Sequence, residues 1–158
     1  MPTGNLRIGR RSIANHVYLV TTCTASRTLL FLRFDLAYAA ARTFGPSADA
    51  DGAILRAWVL MPDHAHWVIQ LGSLAGLPAV VRRMKSVAAR AVNASRGSAD
   101  PVWQRGYHDH GIRKNEDLSA ACRYVTANPL RAGIVNRLGD YPFWNAVLLD
   151  HEGANDRR

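Results

Sequence analysis

Residues 54–71 read ILRAWVLMPDHAHWVIQL, two apolar runs broken by Met61-Pro62-Asp63. Proline cannot donate to a sheet ladder and pushes the residue before it toward extended backbone, so the break reads as a turn joining two neighbouring strands. Side chains alternate along a strand. His64 and His66 therefore share one face, while Ala65, Trp67, Ile69 and Leu71 share the other. Two imidazoles at i and i+2 are half of a metal site.

The flanking segments extend this hairpin into a sheet. Residues 16–24, rich in Val, Tyr and Thr, read as a first strand. Residues 29–44 read as a helix with Leu30, Phe34, Ala37, Tyr38 and Ala41 on one side and Gly45-Pro46 as its stop, followed by a polar loop over 47–52. A second helix, 77–96, sets Leu77, Val80, Val81, Met84, Ala88 and Ala91 on one arc. Arg82, Arg83, Lys85, Arg90 and Arg96 lie opposite, a face that suits either solvent or phosphate.

PVWQRGYHDHGI, residues 101–112, reads as a fourth strand with Trp103, Arg105 and Tyr107 on one face, a surface that can stack bases or, for Trp103, enter the core. It carries a second His-x-His, His108 and His110, so a four-His site stands as a rival to a site built on the first pair. A third helix follows. Asn115 is its N-cap, Glu116 and Asp117 occupy the first turn, and Leu118, Ala121, Cys122 and Val125 form the buried stripe. Tyr124 sits at the margin of that stripe, and Asn128 lies one turn further on. Asn128-Pro129 also has the form of a cap and first position of a new short helix ended by Gly133.

The order strand, helix, strand, strand, helix, strand, helix is an α+β, ferredoxin-like or RRM-like antiparallel sheet with helices on one face and an added C-terminal helix. The expected layout is a basic arm over 1–12 carrying Arg7, Arg10 and Arg11, one domain over 13–150, and a disordered tail over 151–158.

At 158 residues, 48% hydrophobic and 20% charged, the composition is that of a soluble globular protein of one domain. Twenty Lys and Arg against twelve Asp and Glu give a net charge of +8, most of it from Arg, which favours polyanions such as nucleic acid. Cys23 and Cys122 read as reduced core residues of a cytoplasmic protein, and no apolar run is long enough for a membrane span.

The motifs MPDHAHWVIQL, MKSVAAR, PVWQRGYHDHGIR and RYVTANPLRAGIV, in that order, closely resemble the REP-associated tyrosine transposases, relatives of the HUH single-strand transposases. The resemblance runs from about the first strand to Trp144. It departs at Ala65, where the family has a bulkier apolar residue. The resemblance implies that His64, His66 and Asn128 bind Mg²⁺ or Mn²⁺, that Tyr124 is the nucleophile, and that His108 and His110 are structural or contact DNA. It further implies a nucleoid-associated protein, monomer or homodimer, that binds single-stranded DNA with hairpin structure. Arg7, Arg10, Arg11, Arg82, Arg83, Lys85, Arg90 and Arg105 are its expected DNA contacts. Two other classes stay open: a hydrolytic nuclease using a His cluster, and a hairpin-binding module without catalysis.

Overall fold

In the computed structural model, which describes residues 13–147, a five-stranded antiparallel sheet runs in the order β4-β1-β3-β2-β5. The strands are β1 (Val17–Cys23), β2 (Ile54–Met61), β3 (His64–Gln70), β4 (His108–Ile112) and β5 (Trp144–Ala146). The hairpin is as expected. Met61 pairs with His64 across the two-residue turn Pro62-Asp63, and β3 becomes the central strand. That turn is tied down from outside, because Thr24 N donates to Asp63 O at 2.9 Å and Phe31 N donates to Pro62 O at 3.0 Å. The arm over 1–12, with Arg7, Arg10 and Arg11, and the tail over 151–158 lie outside the described residues.

One face of the sheet carries α1 (Phe34–Ala50) and α2 (Leu77–Arg96), packed on each other. Ala65, Trp67 and Ile69 are fully buried on that face, and the Phe44 ring of α1 meets both Trp58 and Trp67 edge-on at 5.4 and 5.1 Å between centroids. The added helix α3 (Asn115–Thr126) and the short α4 (Asn128–Arg131) lie against the opposite face, where Cys122 and Val125 are buried. The sheet is thus covered on both sides. The second cover brings α3 to the histidines.

Several boundaries differ from the sequence reading. Helix α1 starts at Phe34 and runs through Gly45-Pro46 to Ala50. Its buried residues include Leu36, Ala37, Ala40, Phe44 and Ala48, whereas Phe34 and Tyr38 are exposed. Burial of Phe44 and Ala48 outweighs the hydrogen bond that Pro46 cannot make. In α2 the buried stripe ends on Val92, not Ala91. Lys114 is the extended residue ahead of α3, one position before the expected cap.

The fourth strand is only five residues long. Gly106, at φ 77°, turns the chain just before it. Trp103 forms a single bridge with Thr24, packs its ring near Phe31 and Trp67, and donates Nε1–H to Lys85 O at 3.1 Å. Trp103, Arg105 and Tyr107 therefore do not share a strand face, and Trp103 belongs to the core. Strand β5 was not anticipated; it pairs with β2 through Ala57↔Ala146 and is anchored by Tyr141, whose hydroxyl donates to Leu60 O.

Candidate active site

His64 and His66 stand side by side on the central strand, ring centroids 4.9 Å apart and nearly perpendicular. Each ring is held by one nitrogen. His64 Nδ1 lies 2.7 Å from Asp63 Oδ1, and His66 Nδ1 lies 2.8 Å from Thr21 Oγ1, its cross-strand partner on β1. A carboxylate only accepts, so His64 donates Nδ1–H to Asp63, which leaves Nε2 as the nitrogen available to a ligand. Burial, with the neighbouring charges of His64 and Arg131, pushes His66 down to about 4, which keeps that imidazole neutral near pH 7. Rings anchored through Nδ1 leave Nε2 to ligate a cation.

Asp63 is held in turn by Arg27, with Nε 3.1 Å and Nη2 2.9 Å from Oδ2. Burial works to raise the Asp63 carboxyl, but hydrogen bonds from His64 and Arg27 outweigh it, and the net shift is downward. Ser26 and Arg27 both occupy the left-handed region, at φ 56° and 53°. For residues with a Cβ that conformation costs roughly 1–2 kcal/mol each. The strained turn delivers the Arg27 guanidinium to Asp63 and so, through it, supports His64.

Of the five tyrosines, four are unsuited to attack a phosphate at the histidines. Tyr18 and Tyr107 are buried. Tyr141 is buried with its hydroxyl on Leu60 O, and burial pushes it up to about 12. Tyr38 is exposed, but on α1 across the sheet, stacked with Phe34. Tyr124 is 55% exposed on α3, the helix that covers the histidine face. The Arg131 guanidinium carbon sits 4.0 Å from the Tyr124 ring centroid. Arg131 ends the short helix α4, which packs against β2, the strand next to the histidines.

A new short helix does start at Asn128, but Ala127, not Asn128, takes the cap position, and no side chain caps the helix. Helix α3 ends at Thr126 and α4 begins at Asn128, but Ala127 between them keeps right-handed helical backbone at φ −80°, ψ −3°. Asn128, half buried, therefore falls one turn beyond Tyr124.

The other candidates disperse. Thr21 pairs with His66 on one side and His108 on the other, so His108 and His110 stand on the same face but a strand away, roughly 10 Å by strand spacing. Among the described residues no three His, Cys, Asp or Glu side chains are grouped to hold a metal, so the four-His site is not assembled. Arg82 and Arg90 are exposed on α2, across the sheet from the histidines. Arg83 pairs with Asp51 at 3.0 Å, and Lys85 Nζ donates to Gln104 O and Gly106 O at 2.7 and 2.8 Å, so both serve the fold. Arg105 is exposed in the loop before β4.

Beside Tyr124 an open groove of about 960 Å³ runs between α3 and the β1–β4 edge, with Arg113, Lys114, His16 and His110 along it. Asp63, Thr21, Arg27 and Arg131 were not singled out from sequence. Asp63 adjoins His64 in the motif, and Arg131 lies seven residues after Tyr124, two helical turns along the same side. Thr21 and Arg27 left no local signal, since their roles depend on strand register and on an unusual turn.

A model of the family described as "Transposase IS200 like" matches residues 12–128. The REP-associated tyrosine transposase of Escherichia coli K12 is 28% identical over 56% of this chain and 52% of its own length. A Haemophilus influenzae protein is 29% identical over 53% of this chain and 53% of its own. The chain thus spans about half the length of these curated relatives. A solved REP-associated tyrosine transposase bound to a REP hairpin superposes with a TM-score of 0.66 at 22% identity, over 85% of this chain and 79% of that one. At that identity the likeness is one of fold.

Proposed function

This chain belongs to the IS200-like transposase family, and on that premise we propose that it is a single-stranded DNA transesterase that cuts and rejoins DNA beside palindromic hairpins, with Tyr124 as nucleophile. One observation carries the reading: Tyr124, exposed on α3, stands on the sheet face that carries the His64–His66 pair.

The phenolic oxygen of Tyr124 attacks the scissile phosphorus, the bond to the 3′ oxygen breaks, and the products are a 5′-phosphotyrosine and a free 3′-OH. The phosphodiester energy is retained in the phosphotyrosine, so a second 3′-OH can attack it and rejoin strands without ATP. A free phenol has a pKa near 10, so only about one tyrosine in a thousand is ionised at neutral pH. Nearby positive charge is therefore needed. His64, His66 and Asn128 fit a divalent ion, Mg²⁺ or Mn²⁺, since both imidazoles have Nδ1 anchored and Asn128 adds a hard oxygen. When bound, that ion would neutralise charge on the phosphoryl oxygens.

Asp63 and Thr21 fix the two rings against rotation, and the half-buried position of Asn128 limits water around its amide. Hairpin DNA as partner is supported by the solved relative bound to a REP hairpin and by the net charge of +8. The groove with Arg113 and Lys114 offers a single strand a basic approach to Tyr124.

The test is a denaturing gel of the protein incubated with Mn²⁺ and each strand of the DNA flanking its gene. A DNA adduct that survives denaturation, absent with Tyr124→Phe, supports the transesterase. Cut DNA without an adduct, unchanged by Tyr124→Phe, indicates a hydrolytic nuclease, and binding without cutting a hairpin-binding module.

A further inference from the structure

Arg131 ends the short helix α4, is exposed, and makes no ion pair with a carboxylate among the described residues. Its guanidinium lies over the Tyr124 ring at 4.0 Å. An arginine on an aromatic face is often only packing, and at an exposed site the contact is weak. Two features separate this one. The ring it covers belongs to the one tyrosine available on the histidine face, and the helix that bears Arg131 packs against β2, the strand next to the histidines. A guanidinium seated over a ring, with no carboxylate to pair with among the described residues, keeps N–H groups that match two oxygens of a phosphate.

We propose that Arg131 is a catalytic residue that grips the non-bridging oxygens of the scissile phosphate while it holds the Tyr124 ring in line for attack. The inference rests on Tyr124 being the nucleophile. In the step itself the Tyr124 oxygen–phosphorus bond forms and the phosphorus–O3′ bond breaks. The phenolic proton goes to water, and the departing O3′ takes one from water. Arg131 stays protonated throughout and donates hydrogen bonds only. Its part is to stabilise charge on the phosphoryl oxygens, with donors that need no rearrangement as that charge builds.

Adduct formation is measured in a single turnover with wild type, Arg131→Gln and Arg131→Lys. Arg131→Gln is expected to slow it by about 100-fold, the usual effect of losing one such donor, with partial recovery in Arg131→Lys. A second measurement needs no catalysis and no metal. In EDTA, the Tyr124→Phe protein binds a hairpin oligonucleotide carrying either the natural scissile phosphate or an uncharged methylphosphonate there. The phosphate is expected to bind about 10-fold more tightly, and that preference is expected to vanish in Tyr124→Phe/Arg131→Gln. A melting curve for each variant checks folding. Equal preference with and without Arg131, or adduct formation by Arg131→Gln within about 3-fold of wild type, overturns the proposal. An adduct formed by Tyr124→Phe would instead overturn the choice of nucleophile.

Discussion

Asp63 Oδ1 lies 2.7 Å from His64 Nδ1, so the residue that closes the β2–β3 turn also decides which nitrogen of the first imidazole faces outward. The opposite oxygen of the same carboxylate is held by Arg27, and the turn's carbonyls are bonded from residues 24 and 31. The orientation of His64 is therefore a property of the hairpin rather than of the ring alone. Carboxylate partners of this kind raise the basicity of a ligating imidazole, and their loss typically costs about 10–100-fold in metal affinity. Asp63→Asn is expected to weaken Mn²⁺ binding by that order, measured by titration calorimetry. Unchanged affinity would mean that His64 is positioned without Asp63.

The acid stability of the metal-free protein reports on His66. Its folded pKa is about 4, below the ordinary 6.5, so between these values the unfolded chain binds a proton there that the folded chain does not. Stability from this group is full above pH 6.5, falls as pH drops through the window, and levels off below 4. The shift corresponds to about 3 kcal/mol. In EDTA, urea midpoints should fall more from pH 7.5 to pH 4.5 in wild type than in His66→Gln.

Tyr124 and Tyr141 should separate activity from stability. Tyr141→Phe removes a buried hydroxyl bonded to Leu60 O and is expected to cost about 1 kcal/mol while DNA cleavage continues. Tyr124→Phe removes an exposed hydroxyl and is expected to change stability by less than about 0.5 kcal/mol while cleavage is lost. Thermal melts and cleavage assays on both variants give the comparison.

Helix α1 carries Pro46 in its interior. Because the backbone is already helical there, Pro46→Ala restores a donor and removes a ring clash. A gain of roughly 1–3 kcal/mol is expected, reduced by the greater freedom of the unfolded chain. A lower melting temperature would show that the helix depends on the bend that proline imposes.

The parts of this fold that were legible in sequence are those set by local pattern. Alternation placed His64 and His66 on one face and Trp67 on the other, and helical spacing put Tyr124 at the edge of the buried stripe of α3. What escaped depends on distant partners. Phe44 lies against Trp58 and Trp67, and this long-range burial carries α1 past Gly45-Pro46, where local propensity ends it. Trp103 reads as a strand residue, but its ring finds Phe31 and Trp67 in the core. Within the site, Thr21 became visible only once β1 was registered against β3. The cations of α2 form a clear stripe in sequence, whereas only the sheet shows that they stand across from the histidines.

The most direct test of Tyr124 as nucleophile is peptide mapping of the covalent protein–DNA complex. After cleavage with Mn²⁺, nuclease trimming and trypsin, the account predicts a nucleotide on the peptide YVTANPLR, residues 124–131, bonded to Tyr124. A nucleotide on another residue, or cut DNA with every tyrosine unmodified during the reaction, would contradict it.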